Sequence, residues 1–123
     1  MMGDYEQRCR EDARLAILAE LARQRDATLN SLSITRVVDA LGIRRSRDWV
    51  EDQLRRLDEA GAVNLRDADL PGLGRVIVAT LTRTGRDHVD RRALLTGVSV
   101  SISKYKTSFR VDPSGGGSDG GKY

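Results

Sequence analysis

Two amphipathic stretches lie only four residues apart, and that spacing leaves the chain few arrangements. Residues 31–41 put Ile34, Val37, Val38 and Leu41 on one helical face, and residues 46–60 do the same with Val50, Leu54 and Leu57, Ala60 lying at the edge. Between them stand Gly42, Ile43, Arg44 and Arg45. Glycine suits the left-handed backbone just past a helix end, and Ser46 suits the start of the next helix, as Asn30 or Ser31 does for the first. Gly61 then stops the second helix. A connection this short forces neighbouring helices to pack at once on each other, which is a helix-turn-helix pattern.

The flanking sequence completes a small domain. Residues 5–25 read as a helix with Leu15, Ile17, Leu18, Leu21 and Ala22 inward and Asp4 at its start, and Thr28-Leu29 is long enough for a very short strand only. Ala62 to Arg66 reads as a strand, Asp67 to Gly74 as a turn around Pro71-Gly72, and Arg75 to Leu81 as a second strand. A hairpin placed directly after a helix-turn-helix is a wing. Thr82 opens a short helix to about Leu94. The expected fold is mainly α with a small β-hairpin: a three-helix core, a two-stranded wing and a closing helix over residues 1–94. Leu18, Leu21, Val37, Leu41, Val50, Leu54, Leu57 and Leu81 should be buried together, and the helix-turn-helix reading requires Leu54 to be inside. Residues 95–123 read as a flexible tail: "TGVSVSISKY" alternates as a strand would but has no visible partner, and "PSGGGSDGGKY" is low-complexity.

Composition bounds the function classes. A chain of 123 residues with 39% hydrophobic and 4% aromatic residues supports one domain with an aliphatic core. The net charge is +3 and the pI about 9.4, compatible with nucleic acid without demanding it. The excess is uneven: residues 1–62 carry 11 basic and 12 acidic side chains, a balance of −1, and residues 63–123 carry 10 and 6, a balance of +4. One cysteine, Cys9, excludes an internal disulfide and fits a reducing compartment. No apolar run approaches the ~20 residues of a membrane span and no apolar signal region opens the chain, so a cytoplasmic protein that does not enter a membrane is expected. Catalysis finds little support: the single histidine, His88, sits beside Asp87 and Asp90 without a nucleophile, Cys9 and His88 alone make no metal cluster, and no glycine-rich phosphate loop follows a strand. The reading is non-enzymatic, with no cofactor and no metal.

The helix pair and hairpin resemble the winged helix-turn-helix superfamily, which includes the ArsR-, MarR- and PadR-like regulators. "LTRTGRDHV" at 81–89 looks like the Leu-Thr-x-x-Gly segment that often follows their wings. A closer likeness is to a small winged-helix family encoded by Mu-like phages and prophages, through "DARLAILAEL", "ALG…SRD", "LDEAGAV" and "VATLTRTGRD", over roughly residues 8–92. Each segment is weak alone and specific only in combination. The chain after Leu94 departs from the short Pro- and basic-rich ending of that family, so no tail function carries over. The resemblance implies duplex DNA binding, with the second helix of the pair in the major groove and the wing near the backbone. Some relatives in the superfamily instead dock proteins. A phage or prophage transcriptional regulator or accessory factor is therefore one expectation, and a module for phage assembly or DNA packaging with a phage protein partner the other. A homodimer fits either.

The candidate contact residues follow from the pattern. Arg44, Arg45 and Arg47 flank Ser46 at the mouth of the second helix, where arginine recognises phosphate or a guanine edge; the alternative is a solvated charged turn. On the outer face of that helix, Asp48, Glu51 and Asp52 face away from the core with Arg55 and Arg56. Arg55 can pair with Glu51, and Arg56 with Asp52, at i,i+4. One acid such as Glu51 suits a cytosine amino group, but three acids weaken a basic recognition surface and are the main argument for a protein-binding face. Trp49 fits an edge plug of the core better than a base contact. Arg66 and Arg75 stand at the shoulders of the wing, as minor-groove contacts or as a cross-strand surface pair. Arg83, Arg86, Arg91 and Arg92 on the closing helix serve solvation or pairing between copies. Lys104, Lys106 and Arg110, interleaved with Tyr105 and Phe109, suit a segment that orders on nucleic acid.

Overall fold

The computed structural model describes residues 2–101. Among them are four helices and a three-stranded antiparallel sheet: α1 (Met2–Arg23), β1 (Thr28–Asn30), α2 (Ser31–Ala40), α3 (Arg47–Glu59), β2 (Val63–Leu70), β3 (Gly74–Leu81) and α4 (Arg83–Val89). The domain is a mixed α+β one. The strand order is β1-β3-β2, so β3 is central, with Thr28 opposite Thr80 on one side and Val63 opposite Leu81 on the other. Three residues of β1 turn the expected two-stranded hairpin into a sheet. A single side chain extends the junction: the Ser31 hydroxyl, fully buried at the start of α2, accepts the Ile77 N–H at 3.1 Å.

The core forms where α1, α2 and α3 meet the sheet. Leu18, Leu21, Leu41, Val50, Leu54, Leu57 and Leu81 are buried as the periodicity requires, Leu54 completely. Each such leucine contributes roughly 2 kcal/mol by burial. Val37 is only half-buried, because α2 turns Ser31, Ile34 and Val38 inward. Ile43, which reads as a connector, is 2% exposed and belongs to the core.

Three helices end in the same way. At α2, Gly42 takes φ +90°, its N–H reaches Asp39 O at 2.9 Å, and the Ile43 N–H reaches Val38 O at 3.3 Å. At α3, Gly61 takes φ +80°, with Gly61 N–H on Asp58 O and Ala62 N–H on Leu57 O at 2.9 and 2.8 Å. These paired bonds satisfy the last carbonyls and bring an apolar residue back onto the helix, which sets the exit direction of the chain. At α4 the left-handed position is Arg91, φ +62°, with Arg91 N–H on His88 O and Arg92 N–H on Asp87 O. The closing helix thus stops at Val89, short of the Leu94 that the sequence suggests. Asp4 lies inside α1 instead of capping it, since the helix starts at Met2.

The hairpin is longer than its composition implies. Asp67 to Leu70 and Gly74 continue the ladder through Asp69 opposite Arg75 and Leu70 opposite Gly74. The aspartates stay solvent-exposed, so their turn preference carries no cost that burial would add. Only Pro71, Gly72 and Leu73 form the turn, closed by Leu73 N–H on Leu70 O at 2.9 Å.

Residues 95–101, the described part of the stretch read as a flexible tail, lie across α1 and α4 without forming a strand. Val98 enters the core. The Ser99 hydroxyl donates to Asp12 Oδ1 at 2.6 Å, its N–H donates to Glu11 O, and its carbonyl accepts from His88 Nε2 at 2.8 Å. His88 Nδ1 accepts the Leu95 N–H at 2.9 Å, which fixes the neutral tautomer with its proton on Nε2. The ordered chain therefore runs past the expected boundary at Leu94. The rest of the expected tail, with the low-complexity stretch at 113–123 and the basic and aromatic residues at 104–110, lies outside the described residues.

Two substitutions test this account. A Cβ at Gly85 would overlap the Ala62 carbonyl oxygen and crowd Leu81, so Gly85→Ala should lower unfolding free energy by ~1–3 kcal/mol. Arg91→Gly relieves a left-handed arginine whose side chain has no partner among the described residues, and should raise it by ~0.5–1 kcal/mol. Urea unfolding measures both.

Candidate nucleic-acid interface

The α2–α3 turn and α3 carry most of the candidate contact residues. Ser46 caps α3, its hydroxyl accepting the Trp49 N–H at 3.2 Å. With Ile43 buried on one side of the turn and Val50 on the other, Arg44 is left exposed, and its side chain has no ion pair or hydrogen bond among the described residues. Arg45 behaves differently. Its Nη2 lies 2.8 Å from Glu6 Oε1 on α1, and its guanidinium stands over the Trp49 ring, 5.4 Å from the centroid. Trp49 Nε1 donates to Glu6 Oε2 at 3.1 Å, and Arg10 Nη1 lies 3.5 Å from the same oxygen. Trp49 is half-buried against the core edge, as its setting in the sequence implies.

The Arg45 hydrogen bond, above all, holds the Glu6 carboxyl below the usual carboxylate range; partial desolvation opposes this, and the Trp49 N–H and the charges of Arg45 and Arg10 add to it. The same bond raises Arg45. Sequence reading does not find Glu6: its i,i+4 relation to Arg10 is visible, but Arg45 in the turn and Trp49 on α3 lie 39 and 43 positions away.

The acids of α3 are largely answered from within the helix. Glu51 sits between Arg47 at 3.4 Å and Arg55 at 3.8 Å, and Asp52 lies 3.9 Å from Arg56. The two i,i+4 pairs expected from spacing are present, and Arg47 adds a third. Glu51 is thus enclosed and offers little free carboxylate to a base edge. Asp48, Asp58 and Glu59 are exposed and have no ion-pair partner among the described residues; α3 as a whole carries three arginines against five acids, a balance of −2.

Behind this face runs a buried polar connection. Gln53, fully buried on the inner stripe of α3, donates to Trp49 O at 3.3 Å and accepts from Arg14 Nε at 2.9 Å, while Arg14 Nη1 reaches Gly97 O at 2.9 Å. Burial, followed by the nearby charges of Arg56 and Arg10, pulls Arg14 below its usual value. A glutamine among Val50, Leu54 and Leu57 was the one sequence sign of this link.

On the hairpin, Arg75 lies 3.3 Å from Asp67 Oδ2, the cross-strand surface pair that was one of two readings for it. Arg66 is exposed and its side chain is without a partner among the described residues. No group of three or more metal-ligating side chains occurs among the described residues, and none of the described helices is long and apolar enough to cross a membrane.

Glu6 supplies a pH test. Because its folded value is lowered, its contribution to stability is complete above the unfolded value of ~4.3 and is lost as pH falls through the lowered folded value. The stability difference between wild type and Glu6→Gln should be constant above about pH 5.5 and shrink below about pH 4, as read by thermal unfolding across acid pH. The chain matches no protein-family model, no curated protein and no solved structure.

Proposed function

We propose that the domain is a winged helix-turn-helix that binds duplex DNA without catalysing a reaction, as a phage or prophage regulator or accessory factor. The observation that carries this reading is topological. A helix pair joined at Gly42 runs directly into a hairpin, and the short strand before the pair closes a β1-β3-β2 sheet. In that architecture α3 enters the major groove and the hairpin lies along the backbone. Arg44 at the mouth of α3 and Arg66 on the hairpin are then the arginines free to meet phosphate. Arg75 reaches it by leaving the exposed Asp67, a small cost because such surface pairs contribute only ~0–1 kcal/mol, and the exposed Arg47 and Arg55 share the enclosed Glu51, so either one can turn outward while the other stays. The phage setting rests on the sequence resemblance.

A second reading is favoured by the acids of α3 that have no ion-pair partner among the described residues. Asp48, Asp58 and Glu59 make the outer edge of α3 acidic, which suits a basic protein surface, in an assembly or packaging role, better than a phosphate backbone.

A salt series with random-sequence duplex decides between them. With roughly 2–4 phosphates neutralised, log affinity should fall with log salt at a slope of about −2 to −3.5. Arg44→Ala with Arg66→Ala should weaken binding to all sequences and flatten that slope by about one to two units, and Asp48→Asn should strengthen it. Absence of duplex binding at low salt removes the DNA reading and leaves the acidic edge of α3 as a protein-docking surface.

A further inference from the structure

Two hydrogen-bond donors and a second guanidinium converge on one carboxylate beside the α3 mouth. Arg45 Nη2 approaches Glu6 Oε1 at 2.8 Å, while Trp49 Nε1 and Arg10 Nη1 approach Oε2 at 3.1 and 3.5 Å. Two guanidinium groups and an indole N–H around a single acid leave an excess of one positive charge. The side chains of Glu6, Arg10 and Arg45 are each about a third exposed, at 34%, 33% and 28%, so an external anion has access to the cluster. Trp49 stands behind Arg45 and limits where its guanidinium can point. The two oxygens of a carboxylate and two non-bridging oxygens of a phosphate offer a guanidinium fork the same acceptor geometry.

We infer that Arg45, Arg10 and the Trp49 indole form a phosphate-binding site that Glu6 occupies from within the same chain. Glu6 lies in the second turn of α1, with Gly3, Asp4 and Tyr5 exposed just before it. Its side chain can swing out without disturbing Leu15, Leu18 or Leu21. The carboxylate then acts as a tethered competitor. It holds Arg45 away from dilute anions and yields to a phosphodiester presented at high local concentration, as when duplex DNA is already held at Arg44 and the hairpin. This source of phosphate rests on the DNA reading above; the site itself recognises any accessible phosphate. Arg45 thus has two states, bound to Glu6 or bound to phosphate, and Glu6 sets the affinity threshold for the surface.

Trp49 is the only tryptophan of the chain, and its N–H is one of the donors, so its fluorescence reports the occupant. Wild type and Glu6→Gln are titrated with inorganic phosphate and with a short random-sequence duplex. Glu6→Gln should bind inorganic phosphate saturably, with a Trp49 response at several-fold lower concentration than wild type. Its duplex affinity should rise several-fold and its salt slope steepen by about one unit. Adding Arg45→Ala should cancel both gains. Should Glu6→Gln fold poorly by circular dichroism, wild type against Arg45→Ala carries the test: duplex binding should change Trp49 emission in the first and not in the second. No gain for either anion in folded Glu6→Gln, or duplex binding that leaves wild-type Trp49 emission unchanged, overturns the site and reduces the cluster to a clamp between α1 and α3. Phosphate binding by Glu6→Gln without any duplex binding keeps the site and removes the DNA reading. Duplex binding insensitive to Glu6 does the reverse.

Discussion

The left-handed turn at Gly42 and the burial of Ile43 behind it govern the arrangement of this molecule. Gly42 lets the Ile43 N–H return to the Val38 carbonyl, and that bond drops the isoleucine into the core at 2% exposure. Once Ile43 is inside, Arg44 is forced out, Ser46 is placed to cap α3, and α3 starts at an angle that brings Val50, Leu54 and Leu57 against α1. A residue with a Cβ at Gly42 would meet backbone strain, and a polar residue at position 43 would lose its burial. The same stop at Gly61 delivers the chain into β2. There the Thr82 hydroxyl bonds the Gly61 carbonyl at 2.6 Å and accepts the Gly85 N–H at 3.2 Å, so one threonine joins the end of α3 to the start of α4. The Leu-Thr-x-x-Gly segment is in this sense a joint: the threonine bonds both ends, and the glycine leaves room for the Ala62 carbonyl.

Much of this was legible because it is local. The two glycine stops, the Ser46 cap and the α3 stripe are written within a few residues of one another, and the i,i+4 pairs Arg55–Glu51 and Arg56–Asp52 follow from helical spacing alone. What sequence did not disclose depends on contacts between distant segments. The Glu6–Arg45–Trp49 cluster, the Arg14–Gln53 bond and the His88 contacts to 95–99 each join residues that only the fold brings together, apart from the short span from His88. The length of the hairpin is hidden in the sequence for a different reason. Asp67 and Asp69 favour turns when nothing else holds them, but pairing along β3 outweighs that preference while their side chains remain in water. Arg91 shows the converse, tertiary context imposing on arginine a backbone that sequence would assign to glycine.

Charge decides how this surface can act. Its candidate arginines are not idle cations; most already face a carboxylate at 2.8–3.9 Å. Exposed pairs of this kind add little to stability, and their larger effect is to orient guanidinium groups and to lower the net field that a distant polyanion feels. In the proposed DNA-binding role, long-range steering is correspondingly weak and affinity has to come from exchange of partners at close range. In that role Arg44 at the helix mouth and Arg66 on the hairpin, whose side chains have no partner among the described residues, make the first contacts, and the paired residues respond afterwards.

The polar link behind α3 bears on how such a response stays local or spreads. Gln53 is fully buried and spends its amide on Trp49 O and Arg14, and Arg14 spends its second nitrogen on Gly97 O. Displacing Arg14 would leave a buried glutamine acceptor unpaired, a penalty of roughly 1–3 kcal/mol. That penalty ties the position of α3 to the segment at 95–99, which is held in turn by Asp12 and by a neutral His88 using both ring nitrogens. The Glu6 side of Trp49 is open to solvent and can exchange partners; the Gln53 side is closed and cannot do so cheaply. An anion arriving at the α3 mouth therefore rearranges side chains on the open side while the helix itself stays in place, which is the property needed if α3 is to present a fixed face to whatever it meets.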